Sequence, residues 1–126
     1  MNLEHLVKQA IRDGFASLSE FESKRLLASY GIPVCREKLA DPFSPAEISR
    51  AAREIGYPVV LKANGRKITH KTERGLVYLG IRDEEQLLAA AGELRSKTDG
   101  LDCDGFLVQE MLAAKRELLC GLIRDP

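Results

Sequence analysis

The stretch KANGRKITHKTERG, from Lys62 to Gly75, carries five of the chain's nineteen lysines and arginines and a single acid, Glu73. Over all 126 residues the charges balance, nineteen basic against nineteen acidic, so this local excess is a feature of the segment. Lys62 closes PVVLKA, an apolar run rich in β-branched residues that reads as a buried strand. A lysine there must reach the surface or meet a negative partner, because an unpaired buried ammonium is costly. His70, Lys71 and Arg74 follow, and Gly65 and Gly75 allow the backbone to come close to a ligand. Cations that donate charge-assisted hydrogen bonds, on a backbone free to approach, suit a polyanion such as a nucleotide triphosphate. The alternative is a solvated hairpin tip whose charges only keep it soluble. The segment is neither a Walker A loop, for it lacks that glycine spacing and no helix follows, nor a dinucleotide fingerprint.

His70 has several chemically distinct readings: plain polar surface, a phosphate contact, a general acid or base, or a phosphoryl acceptor. Residue types and spacing leave these open. A second constellation lies in LVQEMLAAKRELLCGL. Gln109 and Glu110 close one strand, with Met111 after them, and Glu117 opens the next. Two acids at the rims of a short connection could grip the amino edge of a base and the hydroxyls of a sugar. They could equally be solvated or salt-bridged, Glu117 with Lys115 or Arg116. His5, on the first helix, reads as structural.

These residues need a scaffold. NLEHLVKQAI places Leu3, Leu6, Val7 and Ala10 at helical spacing. In SLSEFESKRLLASYG, Ser19 caps a helix, Glu22 completes a capping box and Gly31 ends it in a left-handed turn. VCREKL is extended. FSPAEISRAAREIGYP repeats the helical signals, with Ser44 as cap, Pro45 in the first turn, Glu47 closing the box and Gly56 as terminator. GLVYLGI is a strand. RDEEQLLAAAGELRSK is a helix capped by Asp83 with Leu87, Leu88, Ala91 and Leu94 on one face. GFLVQEML and RELLCGLI are strands. The class is α+β or α/β. About a dozen non-helical residues join VVLKA to LVYLG, which favours an antiparallel hairpin over a crossover and argues against a doubly wound parallel sheet.

Length and composition fit one soluble domain or one lobe of a larger one, with 44% hydrophobic and 30% charged residues. No run approaches the roughly 18–20 apolar residues of a membrane span. The N-terminus, with Glu4, His5, Lys8 and Arg12, is not a signal peptide. Neutral net charge argues against nucleic-acid or membrane binding. Cys35, Cys103 and Cys120 stand far apart in no metal-ligand spacing, and read as buried, reduced thiols of a cytoplasmic protein. The apolar strand before the terminal GLIRDP would need a partner, which suggests a truncated piece or a homodimer formed through that strand.

PVVLKA, THKTERG, LVQEM and RELLCGLIRDP, together with LSEFESKRLLASYGIP and AAREIGYPVVLKA, resemble in order and spacing the ATP-grasp part of ADP-forming acyl-CoA synthetases, notably ADP-forming acetyl-CoA synthetase. Succinyl-CoA synthetase β chains look like more distant relatives. The resemblance runs from about residue 18. It implies a helical extension over 1–17, a first ATP-grasp subdomain over 18–112 and the start of a second over 113–126. A nucleotide, ATP or ADP, would lie between two α+β lobes. Lys62 matches the family lysine that contacts the nucleotide, and Lys71, Arg74 and Gly75 lie in the loop over its phosphates. Gln109, Glu110 and Met111 match the adenine hinge, and Glu117 the acid that binds ribose. His70 matches the histidine that takes phosphate from the acyl-CoA-processing domain or subunit and hands it to ADP. The implied reaction joins an acid and CoA at the expense of ATP, giving acyl-CoA, ADP and phosphate.

Two departures stand out. Gly75-Leu76-Val77 replaces the family's common Gly-Gly-Val, and the family's Mg2+-binding acids fall beyond this sequence, so no metal ligand is expected within it. Half a nucleotide site is expected, without unaided turnover. A non-catalytic nucleotide-sensing or interaction module, of the kind fused to some protein acetyltransferases, is the alternative.

Overall fold

The computed structural model describes residues 2–113. Four helices and four strands follow in the order α1 (Leu3–Arg12), α2 (Glu20–Ser29), β1 (Glu37–Ala40), α3 (Pro45–Ile55), β2 (Val59–Asn64), β3 (Val77–Ile81), α4 (Glu84–Lys97) and β4 (Gly105–Glu110). The strands form one sheet in the order β1-β4-β2-β3, with every pairing antiparallel. The α+β class and the β2–β3 hairpin agree with the sequence. The placement of β4 does not follow from it. The crossovers β1–α3–β2 and β3–α4–β4 each leave a one-strand gap, and each gap is filled by a strand of the other.

Capping chemistry explains the helix starts. Ser19 accepts from the Glu22 backbone N–H while Glu22 accepts from the Ser19 N–H, the full capping box. Ser44 accepts from the Glu47 N–H and Asp83 from the Gln86 N–H. The reciprocal bond expected of Glu47 is not among those formed by α3. Gly31 and Gly56 take the positive φ that lets the chain leave α2 and α3.

One sheet face buries the apolar core. Val59, Leu61 and Ala63 of β2 and Phe106 and Val108 of β4 pack against Ile48, Ala52 and Ile55 of α3 and Leu87, Ala91 and Leu94 of α4. Leu88 is 37% exposed and lies off that stripe, correcting its place on the expected face. The cysteine expectation also changes: Cys35 and Cys103 are free but half-buried. His5 is exposed on α1. Cys120, Glu117 and the RELLCGLI strand, with the dimer it suggested, lie outside the described residues.

The opposite sheet face is mixed, with Lys62, Asn64 and Gln109 beside Val60 and Leu107, and the N-terminal part of α2 is bonded to it. Because side chains alternate along a strand, Lys62 shares this face with Val60 and Asn64. Register sets Glu37 opposite Gln109 and Gln109 opposite Val60, while Lys62 faces Leu107 on one side and Val77 on the other. Asn64 ties α2 down. Its buried amide oxygen accepts from the Phe21 N–H at 3.1 Å, and its Nδ2 donates to Asp104 at 2.8 Å.

Candidate functional site

On that face, Glu20 in the first turn of α2 gathers four donors. Its Oε1 accepts from Lys71 Nζ at 2.7 Å. Its Oε2 accepts from Gln109 Nε2 at 2.6 Å, from Lys24 Nζ at 2.9 Å and from Lys62 Nζ at 3.4 Å. Gln109 also donates to the neighbouring Glu37 at 3.0 Å, and Lys24 lies 3.5 Å from the same oxygen of Glu37. Lys62 therefore meets the negative partner that its strand position demanded.

Burial works against the charge on Glu20, yet the donors from Lys71, Lys24 and Gln109 outweigh it and hold its carboxyl far below the ordinary range. Burial likewise opposes the charge on Lys24, but the bond to Glu20 raises its pKa. Glu22, two residues along, is held down by the paired bonds from Arg66 at 2.8 and 2.9 Å, against its own burial.

Both glutamates bind their protons more weakly folded than unfolded. Their contribution to stability is complete above the unfolded value of 4.5 and is withdrawn as the pH falls below it toward the lowered folded values. In urea unfolding from about pH 7 to about pH 3, Glu20→Gln is therefore expected to be less stable than the native chain at neutral pH. The gap should narrow as the pH falls below 4.5. A gap that stayed constant with pH would contradict the assignment.

A concavity of about 560 Å³ opens beside this cluster, lined by Glu20, Lys62, His70, Lys71, Thr72 and Leu79 among others. It brings together three of the residues singled out by sequence: Lys62, His70 and Lys71. His70 is 72% exposed, 3.5 Å from Glu73, and has a φ of 52°. That left-handed backbone is uncommon outside glycine, though histidine is among the residues that tolerate it. The segment closes through a helical turn, with Arg74 N–H donating to the His70 carbonyl and Leu76 N–H to that of Lys71.

The other expected residues lie elsewhere. Arg74 turns back on its own segment, donating to the Thr69 carbonyl at 3.2 Å. Gly75 has a φ of 69°, and its carbonyl accepts from Lys97 at 3.1 Å. Gln109 is buried beneath the cluster with its amide committed to two carboxylates. Glu110 accepts from the Arg36 backbone and guanidinium at 3.0 and 2.9 Å. Met111, half exposed, donates its N–H to the Pro58 carbonyl.

Glu20, Lys24, Glu37 and Asn64 went unnoticed in the sequence. The available signal was Asn64 beside Lys62 on a strand, a second polar residue on a face that should then carry partners. Among the described residues, no cluster of three or more His, Cys, Asp or Glu side chains could hold a metal ion, and no helix is long and apolar enough to cross a membrane.

Comparison with protein families decides the kinship. Residues 9–126 match the model of the ATP-grasp domain. The chain belongs to the ATP-grasp family. Within it, the chain is 33% identical over 125 residues to the β subunit of acetate–CoA ligase [ADP-forming] II of Pyrococcus furiosus, a match covering 96% of this chain and 52% of that protein. Among solved structures, ACD1 of Ca. Korarchaeum cryptofilum in complex with coenzyme A superposes with a TM-score of 0.81 at 36% identity, over 90% of this chain and 50% of that one. The same organism's dinucleotide-forming acetyl-coenzyme A synthetase 1, in complex with coenzyme A and acetyl-coenzyme A and with a phosphorylated phosphohistidine segment, gives a TM-score of 0.73 at 32% identity, over 90% and 49%. This ATP-grasp chain thus spans about half the length of these relatives.

Proposed function

We propose that this ATP-grasp domain is the nucleotide-binding lobe of a cytoplasmic ADP-forming acyl-CoA synthetase, with Lys62 and Lys71 receiving the phosphates of ATP or ADP and His70 relaying a phosphoryl group. The observation that carries this is the convergence of Lys62, Lys71 and His70 on one concavity. Each ammonium group already lies within hydrogen-bonding reach of a carboxylate oxygen of Glu20, Lys71 of Oε1 and Lys62 of Oε2. The similar ADP-forming ligase and the solved relative with a phosphorylated phosphohistidine segment support the same reading.

In the ATP-consuming direction, a neutral imidazole nitrogen of His70 attacks the terminal phosphorus. The nitrogen–phosphorus bond forms as the bond to the ADP oxygen breaks; the other ring nitrogen keeps its N–H, so that neutral imidazole is released when the phosphoryl group moves on. Lys62 and Lys71 neutralise charge on the phosphoryl oxygens. The end of β4, at Gln109, Glu110 and Met111, would meet the adenine, and Glu117 the ribose. Arg74 and Gly75 belong to the segment over the phosphates. The acyl-CoA-processing domain or subunit is the partner that exchanges phosphate with His70. Mg2+ is the nucleotide's expected companion, but the described residues offer no ligand set for it, and their part is confined to the phosphates.

Titration of ATP and ADP, followed by NMR shift mapping, tests the proposal. Shifts are expected at Lys62 and residues 65–75, and Lys62→Ala is expected to weaken binding by roughly tenfold or more, the scale of one lost charge-assisted hydrogen bond. Nucleotide that moves none of these resonances would remove the assignment.

A further inference from the structure

Residues 69–74 are exposed except for Lys71. Their other hydrogen bonds close on the segment itself: Arg74 to Thr69, Arg74 to His70, Gly75 to Thr72 and Leu76 to Lys71. Among the described residues, the one side-chain hydrogen bond from 69–74 to another element of the domain is Lys71 Nζ to Glu20 Oε1. On either side the chain is pinned independently. Arg66 is held by Glu22, Ile68 is buried, Lys97 holds the Gly75 carbonyl and Leu76 is buried. His70 precedes the residue that makes this side-chain tie, so the Lys71–Glu20 bond holds the His70 backbone close to α2.

Glu20 also carries the charge that a phosphoryl group would bring. Its two oxygens meet Lys71, Lys62 and Lys24 as an anionic ligand would, and it borders the same concavity. Counting Glu37, the cluster holds three ammonium groups against two carboxylates. A phosphoryl anion drawn to Lys62 and Lys71 meets a carboxylate already seated on them, and like charges at that distance exclude one another.

We propose that Glu20 is a positioning residue and the site's internal counter-anion: through Lys71 it holds the His70 segment against α2 until a phosphoryl anion takes over its lysines. This rests on the phosphate-binding reading of Lys62 and Lys71.

Two measurements on the full chain test it. Without ligand, Glu20→Gln and Lys71→Gln should each speed backbone amide exchange at Arg74, Gly75 and Leu76, whose N–H groups close the segment, by on the order of tenfold, and the double variant should add little further. Exchange in β2 and β4 should hold steady, which a merely structural role of Glu20 would not allow. Lys71→Gln cuts the same tie without touching α2, so the test survives if Glu20→Gln folds poorly. With inorganic pyrophosphate as probe, the native segment should loosen on binding, and Glu20→Gln should bind several-fold tighter.

Unchanged exchange at Arg74, Gly75 and Leu76 in Lys71→Gln overturns the anchor. Weaker pyrophosphate binding by a folded Glu20→Gln, with Lys62 still responding, overturns the exchange of anions while the phosphate site stands. Pyrophosphate that binds neither protein overturns both the exchange and the phosphate site beneath it.

Discussion

His70→Asn is expected to abolish acid-labile phosphoryl labelling of this chain, and to lower acyl-CoA synthesis by the complete enzyme on the order of a thousandfold or more. Asparagine is the informative replacement. It keeps a polar side chain and, like histidine, tolerates the left-handed backbone that His70 adopts at a φ of 52°. It removes only the nucleophilic ring. The segment's own hydrogen bonds run through backbone groups of His70, Lys71 and Thr72, which the substitution leaves in place. Thermal stability should therefore change within about 0.5 kcal/mol, as for other exposed positions. The assay follows phosphate transferred from ATP and compares its survival in acid and in base, since a phosphoramidate is lost in acid. Labelling that persisted in His70→Asn would place the acceptor elsewhere. Nucleotide binding retained in a native chain that never labels would point instead to a sensing module.

The contrast between Lys62 and Glu20 shows how far the sequence could be read. Lys62 announced itself because a charge at the end of an apolar, β-branched run conflicts with burial, and such a conflict has few solutions. Its partner could not be found the same way. Glu20 sits in a helix start crowded with acids, where carboxylates are expected for capping and dipole reasons alone. Glu22 fills that capping role. Only the docking of the first turn of α2 on that sheet face, tied by the buried Asn64 amide 43 positions from Phe21 in sequence, brings Glu20 to Lys62.

Gln109 is a similar case. Its type fitted a hinge next to a base, and nothing local foretold that strand pairing would set it between Glu37 and Val60 with its side-chain amide donating to Glu20 and Glu37. Several local signals held, since the Ser19 capping box, Gly31, Gly56 and the β2–β3 hairpin all form, whereas the Glu47 half of the second capping box does not. Insertion of β4 between β1 and β2 depends on pairing partners far apart in the chain, and no periodicity encodes it.

The same chemical change at two glycines should have opposite signs. Gly65 follows the last residue of β2 and begins the segment that carries His70. A Cβ there would run into the backbone carbonyl oxygen of Asp102, with Ile68 Cδ1 at 3.3 Å on the other side. The obstacle cannot rotate away, because the neighbouring chain is tied: Asp104 N–H donates to the Asn64 carbonyl at 2.9 Å and Asn64 Nδ2 to Asp104 at 2.8 Å. Relief requires the two backbones to part, which strains the bonds that hold α2 over the lysines. Gly65→Ala should therefore cost about 3 kcal/mol, lowering the melting temperature by about 10 °C. Gly92 lies inside α4, and a Cβ there meets nothing nearer than Arg95 Nη2 at 3.8 Å. Gly92→Ala removes only the entropic penalty of a helical glycine and should stabilise the domain by about 0.5–1 kcal/mol. Calorimetry on both variants reads the two shifts directly. A tolerated alanine at Gly65 would mean that the end of β2 is not packed edge-on against residues 102–104, and the path from Asn64 to the Glu20 cluster would lose its support.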